Sequence, residues 1–118
     1  MRRVLLVDDN VDAIEALAQL MSLSGHDVRT AVDGAAALQL AAQFEPQLVL
    51  CDLGLPGMSG YEVARALRAM PCGEHMRIAA LTGYGSDTDR ERAASAGFDA
   101  HLLKPVDPEA IEKLLDSC

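Results

Sequence analysis

The chain has 118 residues, half of them apolar, and 18 acidic against 10 basic side chains give a formal net charge of −8. That length fits one domain around one core, residues 1–118, and the apolar content is too high for a disordered segment. The charge balance disfavours direct nucleic-acid binding, since a phosphate backbone would be repelled. No apolar run approaches the roughly 20 residues of a membrane span. The opening "MRRVLLVDDN" has too short an apolar stretch for a secretory signal, which needs about 7–15 residues. A cytoplasmic domain is expected. The three cysteines, Cys51, Cys72 and Cys118, are odd in number and lack metal-type spacing, so neither disulfides nor a zinc site are expected. Trp is absent and Phe and Tyr are scarce, which argues against an aromatic platform for bases.

Along the chain, short apolar runs alternate with longer stretches of helical spacing. The first run, Val4–Val7, precedes Ile14, Leu17, Ala18 and Met21, which recur at helical intervals. Gly25 is placed to end that helix in the left-handed conformation. The second run, Asp27–Ala31, leaves through Val32-Asp33-Gly34, a turn with an N-cap. The helix after it is predicted to face inward with Ala35, Leu38 and Ala42.

The third run, Leu48–Cys51, is the most apolar, and Cys51 in it reads as a small hydrophobe. It runs directly into Asp52 and a flexible "LGLPG". Ser59 and Glu62 then form a capping box for a helix carrying Val63, Leu67 and Met70 on one face. The fourth run, Ile78–Leu81, precedes an Ala-rich, charged segment from about Asp87 to Ala96, with Gly97 as its stop. The fifth, Ala100–Leu103, leads to Asp107 as N-cap and Pro108 at the first helical position. Val106 and Ile111 staple the last helix, which buries Ile111, Leu114 and Leu115 and ends near Asp116.

Strand–helix alternation repeated five times predicts a (βα)5 α/β domain, a doubly wound parallel sheet with helices on both faces. In such sheets function collects at the carboxyl ends of the strands. After the first strand stand Asp8 and Asp9, after the third Asp52, after the fourth Thr82, and after the fifth Lys104 and Pro105. Three carboxylates within a few ångströms repel one another, and a hard divalent cation relieves that repulsion. Mg2+, which takes one or two carboxylates together with waters and a phosphate oxygen, suits the set; Mn2+ is the substitute. An ammonium and a hydroxyl beside such a metal supply what phosphoryl transfer needs. Asp52, at the end of the central strand, is the candidate nucleophile for an aspartyl phosphate. The glycines after it, Gly54 and Gly57, and Gly83 after Thr82, leave room for backbone and phosphoryl group to approach.

With those positions in place, "LLVDDN", "VLCDLGLPGMSGYEV", "ALTGYG" and "HLLKPVD" resemble the receiver domain of two-component response regulators over essentially the whole chain. The resemblance implies the flavodoxin-like strand order 2-1-3-4-5. It implies that Asp52 is the phosphoacceptor, supplied by a sensor histidine kinase or a histidine phosphotransfer domain. Asp9, Asp52 and the backbone carbonyl of Gly54 would hold Mg2+ directly, with Asp8 acting largely through water. Lys104 would pair with the acids and then the phosphoryl oxygens, and Thr82 would move towards the phosphoryl group on activation. A cis peptide before Pro105 is implied as well. Family members catalyse much of their own phosphorylation and dephosphorylation, yet they act as signalling proteins rather than as enzymes.

This sequence departs from the family pattern at His101, where the aromatic switch is usually Tyr or Phe. It also places Gly54 two residues after the acceptor and Tyr84 two after Thr82. The wording near the end of the chain is similar to the receivers of hybrid histidine kinases. Because the chain ends straight after its fifth helix, the domain is expected either to stand alone or to be cut from a larger protein, and the likeness to the C-terminal receivers of hybrid kinases favours the second. Two rivals fit less well. A haloacid-dehalogenase-type phosphatase needs a second acid two residues after its nucleophile, where Asn10 and Gly54 stand. A flavodoxin-like FMN carrier needs a phosphate loop where Asp8 and Asp9 stand.

Overall fold

The computed structural model describes residues 2–55, 57–71, 73–82, 91, 94–104 and 106–116. Five strands form one parallel sheet: β1 (Arg3–Val7), β2 (Asp27–Ala31), β3 (Leu48–Asp52), β4 (Arg77–Thr82) and β5 (Ala100–Leu103). Their order is β2-β1-β3-β4-β5, as the resemblance to receiver domains implies. The described helices are α1 (Val11–Leu23), α2 (Gly34–Phe44), α3 (Gly60–Ala69) and a last helix, Pro108–Asp116, with a 3-10 turn at Gly73–His75.

The central strands are apolar on both faces, as a sheet sandwiched between helices requires. Val4, Leu6, Leu48, Leu50, Ala79 and Leu81 pack with Ile14 and Met21 of α1 and Ile111 and Leu115 of the last helix. The alternate residues Leu5, Val7, Val49, Cys51, Ile78 and Ala80 pack with α2 and α3 on the other side. Strand period two thus divides one run of hydrophobes between two cores.

The helix ends obey local chemistry. Asn10, Asp33 and Ser59 cap α1, α2 and α3 by accepting the N–H groups of Ala13, Ala36 and Glu62. Asp107 does the same for Glu109 at 2.9 Å in the last helix. Gly25 (φ 93°) follows α1 in a Schellman arrangement, with His26 N–H on the Met21 carbonyl and Gly25 N–H on that of Ser22. Gly97 (φ 109°) takes the same left-handed conformation.

Three expectations need correction. The inward face of α2 is Gly34, Ala37 and Ala41, while Ala35 and Ala42 are exposed and Leu38 is half-buried. "GAAALQLAA" has small residues at almost every position, so periodicity alone does not set its phase. Leu114, expected inward, is only half-buried. Asp52 and Thr82 are the last residues of β3 and β4 rather than the first beyond them. The helical segment expected near Asp87–Ala96 falls mostly outside the described residues; within it Ala96 is buried.

Candidate phosphoacceptor and metal site

The register of the sheet assembles the site. Val7 lies opposite Cys51, so the next residues, Asp8 and Asp52, stand side by side. Asp52 in turn pairs with Leu81, which places Thr82 one step beyond it. Leu103 pairs with Thr82, and the Lys104 N–H donates to the Thr82 carbonyl at 2.8 Å. Four strand ends therefore meet, each held by ladder hydrogen bonds rather than by loop conformation.

Asp8 is 3% exposed and Thr82 is 7% exposed, the two buried polar residues among those described. Asp52 is half-buried and Asp9 is exposed. The Lys104 Nζ donates to Asp8 Oδ2 at 2.8 Å and lies 3.5 Å from Asp52 Oδ2. The other oxygen of each acid is met by backbone. Asn10 N–H donates to Asp8 Oδ1 at 3.0 Å, and Gly54 N–H donates to Asp52 Oδ1 at 3.2 Å.

These contacts split the two acids. Burial works against ionisation of Asp8, but the Lys104 ammonium and the Asn10 N–H outweigh it and hold the carboxyl below its ordinary value. For Asp52 burial prevails: with the neighbouring Asp8 charge it pushes the carboxyl above its ordinary value, against Gly54 and Lys104. Burial also disfavours the Lys104 ammonium, yet the Asp8 hydrogen bond and the Asp52 charge hold it above the ordinary lysine value. One cation is shared by two acids and satisfies the first better than the second.

One carboxylate oxygen from each of Asp8, Asp9 and Asp52 can be chosen so that all three lie within 4.8 Å of one another. An octahedral Mg2+ with bonds of about 2.0–2.1 Å needs ligand oxygens about 2.9–4.2 Å apart, so small side-chain rotations bring these acids onto one ion. Hard oxygen donors and surplus negative charge fit that metal. Asp8 and Asp52 both have their oxygens engaged, the first by Asn10 and Lys104 and the second by Gly54 and Lys104, while Asp9 is the exposed acid of the three.

Sequence reasoning thus named five residues that the structure brings together: Asp8, Asp9, Asp52, Thr82 and Lys104. Gly54 is beside Asp52, with open space where a side chain would start. His101, opposite Ala80 on β5, is half-buried, and its Nε2 is shielded from solvent. Pro105, with the expected cis peptide, and Gly83 and Tyr84 lie outside the described residues. Asn10 was missed. Its place before an apolar helical pattern is an N-cap signal, and its backbone also holds Asp8.

The family model for the response regulator receiver domain matches residues 4–116. An uncharacterised 14.6 kDa protein of Leptolyngbya boryana is 35% identical over 112 residues, covering 95% of this chain and 86% of that protein. The transcriptional regulatory protein PrrA of Mycobacterium tuberculosis is 40% identical over 103 residues, covering 87% of this chain but 43% of PrrA. The chain spans less than half the length of PrrA, PleD and MprA alike. Among solved structures, the Vibrio cholerae chemotaxis protein CheY4 superposes with a TM-score of 0.93 at 29% identity, covering 99% of this chain and 98% of that one. The receiver domain of the Pseudomonas aeruginosa sensor histidine kinase PA1611, solved with a magnesium ion in its active site cleft, gives 0.88 at 29%, covering 98% and 95%. With the same strand order and acids at the same strand ends as the sequence pattern requires, the chain belongs to the response regulator receiver domain family.

Proposed function

We propose that residues 1–118 form one phosphoacceptor domain that takes a phosphoryl group onto Asp52 from the phosphohistidine of a sensor kinase or phosphotransfer domain. The observation that carries this reading is the convergence of the Asp8, Asp9 and Asp52 oxygens within 4.8 Å, with Lys104 Nζ 3.5 Å from Asp52. An Asp52 oxygen attacks phosphorus as the phosphorus–nitrogen bond of the donor breaks, and the imidazole leaves. Asp9, Asp52 and the Gly54 carbonyl, with Asp8 behind them, would hold Mg2+ or Mn2+, which would supply neutralising charge to the phosphoryl oxygens. Lys104 shifts from the Asp8–Asp52 pair towards the new negative charge. Thr82, at the end of the neighbouring strand, offers its hydroxyl to a phosphoryl oxygen, and His101 is the candidate partner for that movement on β5.

Positioning and electrostatics suffice to drive such a transfer, so the domain needs no separate acid or base and promotes its own phosphorylation. With Gly54 at the position where a phosphatase would carry its second acid, turnover of phosphate esters is not expected. The same reading puts the domain in the cytoplasm, serving either alone or beside further domains of its polypeptide. A charge of −8 disfavours direct contact between this domain and nucleic acid.

The test is incubation with acetyl phosphate and Mg2+ followed by intact-mass measurement. One added phosphoryl group is expected on the parent and none on Asp52→Asn. Equal labelling of the variant removes Asp52 from the role.

A further inference from the structure

Gly60 opens α3, directly after the Ser59 cap. Helix chemistry does not call for it there, since glycine is a poor helix former and the first helical position favours proline or good formers. Backbone conformation does not call for it either: among the described residues the positive-φ positions are Gly25, Glu45, Gly57 and Gly97, and Gly60 is not one of them. Space does. A Cβ on Gly60 would stand 2.5 Å from the Asp52 carbonyl oxygen, 2.7 Å from the Leu53 Cα and 3.1 Å from the Asp52 carbonyl carbon. All three are backbone, which cannot rotate aside.

Other glycines make the contrast. A Cβ on Gly34 would meet Met58 and Val63 side chains, which have rotamer freedom, and one on Gly54 would meet only Asp52 Oδ1 at 4.0 Å. One on Gly73 would strike the Leu67 carbonyl, at the far end of α3 from the site. Among these, the methyl group on Gly60 is the one that would press on the backbone of the acceptor aspartate.

The hydrogen bonds show what that close seat does. Gly60 N–H donates to the Leu53 carbonyl at 3.1 Å, and Leu53 N–H donates to the Leu81 carbonyl of β4 at 3.3 Å. The residue after Asp52 is therefore gripped from α3 on one side and from β4 on the other. The next N–H, that of Gly54, then meets Asp52 Oδ1 at 3.2 Å, while Oδ2 faces Lys104. The orientation of the acceptor carboxylate follows from the position of the peptide that α3 presses against.

From this packing we infer that Gly60 is a positioning residue for the Asp52 site: the missing side chain lets the first turn of α3 seat on the Asp52–Leu53 peptide, which aims the Gly54 N–H and the Asp52 carboxylate. The inference rests on the phosphoacceptor reading for its functional meaning. A methyl group at Gly60 displaces that peptide by a sizeable fraction of an ångström, and misplacement by about 1 Å can cost a reaction about 100-fold.

Gly60→Ala and Gly73→Ala separate positioning from mere stability. Each adds one methyl group against backbone at opposite ends of the same helix, so both should unfold at lower urea. In the folded protein, only Gly60→Ala should weaken Mg2+ binding by calorimetry and slow phosphoryl uptake from acetyl phosphate, each by at least about tenfold. Parent-like Mg2+ affinity and uptake in folded Gly60→Ala overturn the positioning role, and leave the phosphoacceptor reading intact if the parent is labelled. An unlabelled parent whose Mg2+ affinity still falls in Gly60→Ala does the reverse.

The parent itself supplies a test if Gly60→Ala fails to fold. Coupling between two sites is reciprocal, so Mg2+ must tighten the α3 seat as the seat tightens the Mg2+ site. Saturating Mg2+ should slow hydrogen exchange of the Gly60 amide more than that of Gly73. A Gly60 exchange rate unchanged by Mg2+ overturns the inference.

Discussion

The two ends of the sheet each hold an acid beside a cation, and they differ in how completely the charges are satisfied. At the amino end, Arg68 from the last turn of α3 donates through Nε to the Gly97 carbonyl, through Nη1 to those of Gly73 and Met76, and through Nη2 to Asp99. Asp99 also accepts the Ile78 N–H at 2.8 Å. One guanidinium ties α3, the 3-10 turn, β4 and the entry to β5, and Asp99 is bonded from two sides. At the carboxyl end, one ammonium serves Asp8 and Asp52, Asp9 adds a third acid, and the carboxyls of Asp8 and Asp52 move in opposite directions. A network whose charges are matched holds structure. One left short of positive charge is prepared to gain some from a metal.

The largest effect on stability should come from the matched end. Arg68→Ala takes a donor from each of three carbonyls and from the partly buried Asp99 carboxylate, which costs about 2–4 kcal/mol in urea unfolding. Lysine at Arg68 should recover only part of that, because an ammonium cannot reproduce the planar fork. In the folded fraction, Mg2+ affinity should equal the parent's. A well-folded Arg68→Ala with weakened Mg2+ binding would show that the two ends are not independent.

At the unmatched end the signs reverse. Asp9→Ala removes a proposed metal ligand and a repulsive charge together, so Mg2+ affinity should fall by at least about tenfold while the metal-free protein is as stable as the parent or more so. Calorimetric titration and metal-free urea unfolding read the two halves separately. A clear loss of metal-free stability would make Asp9 a structural cap, the role that aspartates at strand ends commonly have.

The contrast between the ends also explains what the sequence disclosed. Asp8, Asp9, Asp52, Thr82 and Lys104 were legible because a parallel sheet brings strand ends together by topology alone, and each residue stands within two positions of the end of an apolar run. Register then needed no knowledge of side-chain packing. Arg68 and Asp99 were not legible, since their meeting depends on how α3, the Gly73–His75 turn and the approach to β5 pack. Gly60 was hidden for a related reason. In "SGYE" the serine and glutamate proclaim a helix start, and nothing local says that the glycine between them faces the Asp52 backbone. The phase of α2 was lost in a run of alanines, where each face is nearly as apolar as the next.

A smaller and pH-dependent effect follows from the split between the two carboxyls. The Asp52 carboxyl is raised in the folded state, so the native protein keeps that proton to higher pH than the unfolded chain does. Its stabilising contribution is therefore lost as pH rises from the unfolded carboxylate value through the folded one. Asp8 has the opposite sign: its contribution is present above its unfolded value and is lost as pH falls through its lowered folded value. Lys104, raised, loses its contribution only at alkaline pH. Without metal, Asp52→Asn should gain stability relative to the parent as pH rises through the carboxylate range, and then hold a constant margin. Mg2+ at neutral pH should reverse that margin, because binding stabilises the parent more. Urea unfolding across pH, with and without Mg2+, would expose an error if the two proteins ran parallel throughout.

The smallest expected signal concerns Cys51, adjacent to the acceptor in sequence yet on the other face of β3. Its side chain is fully buried among Val49, Val63 and Ala80 on the α2–α3 side. Burial first, then the charges of Asp52 and Asp8, push the thiol up to about 12. A thiolate is the reactive form, so at pH 8 the native protein should leave Cys51 untouched by iodoacetamide while unfolded chain is alkylated at that position. Mg2+ would cancel part of the carboxylate charge, but burial is the larger cause and does not change. Alkylation of Cys51, followed by peptide mapping, should therefore track global unfolding whether or not Mg2+ is present, with the Mg2+-bound protein slower only through its greater stability. Rapid labelling of Cys51 in folded protein would mean that the α2–α3 core opens beside the site, and α3 could not then seat Gly60 firmly enough to aim Asp52.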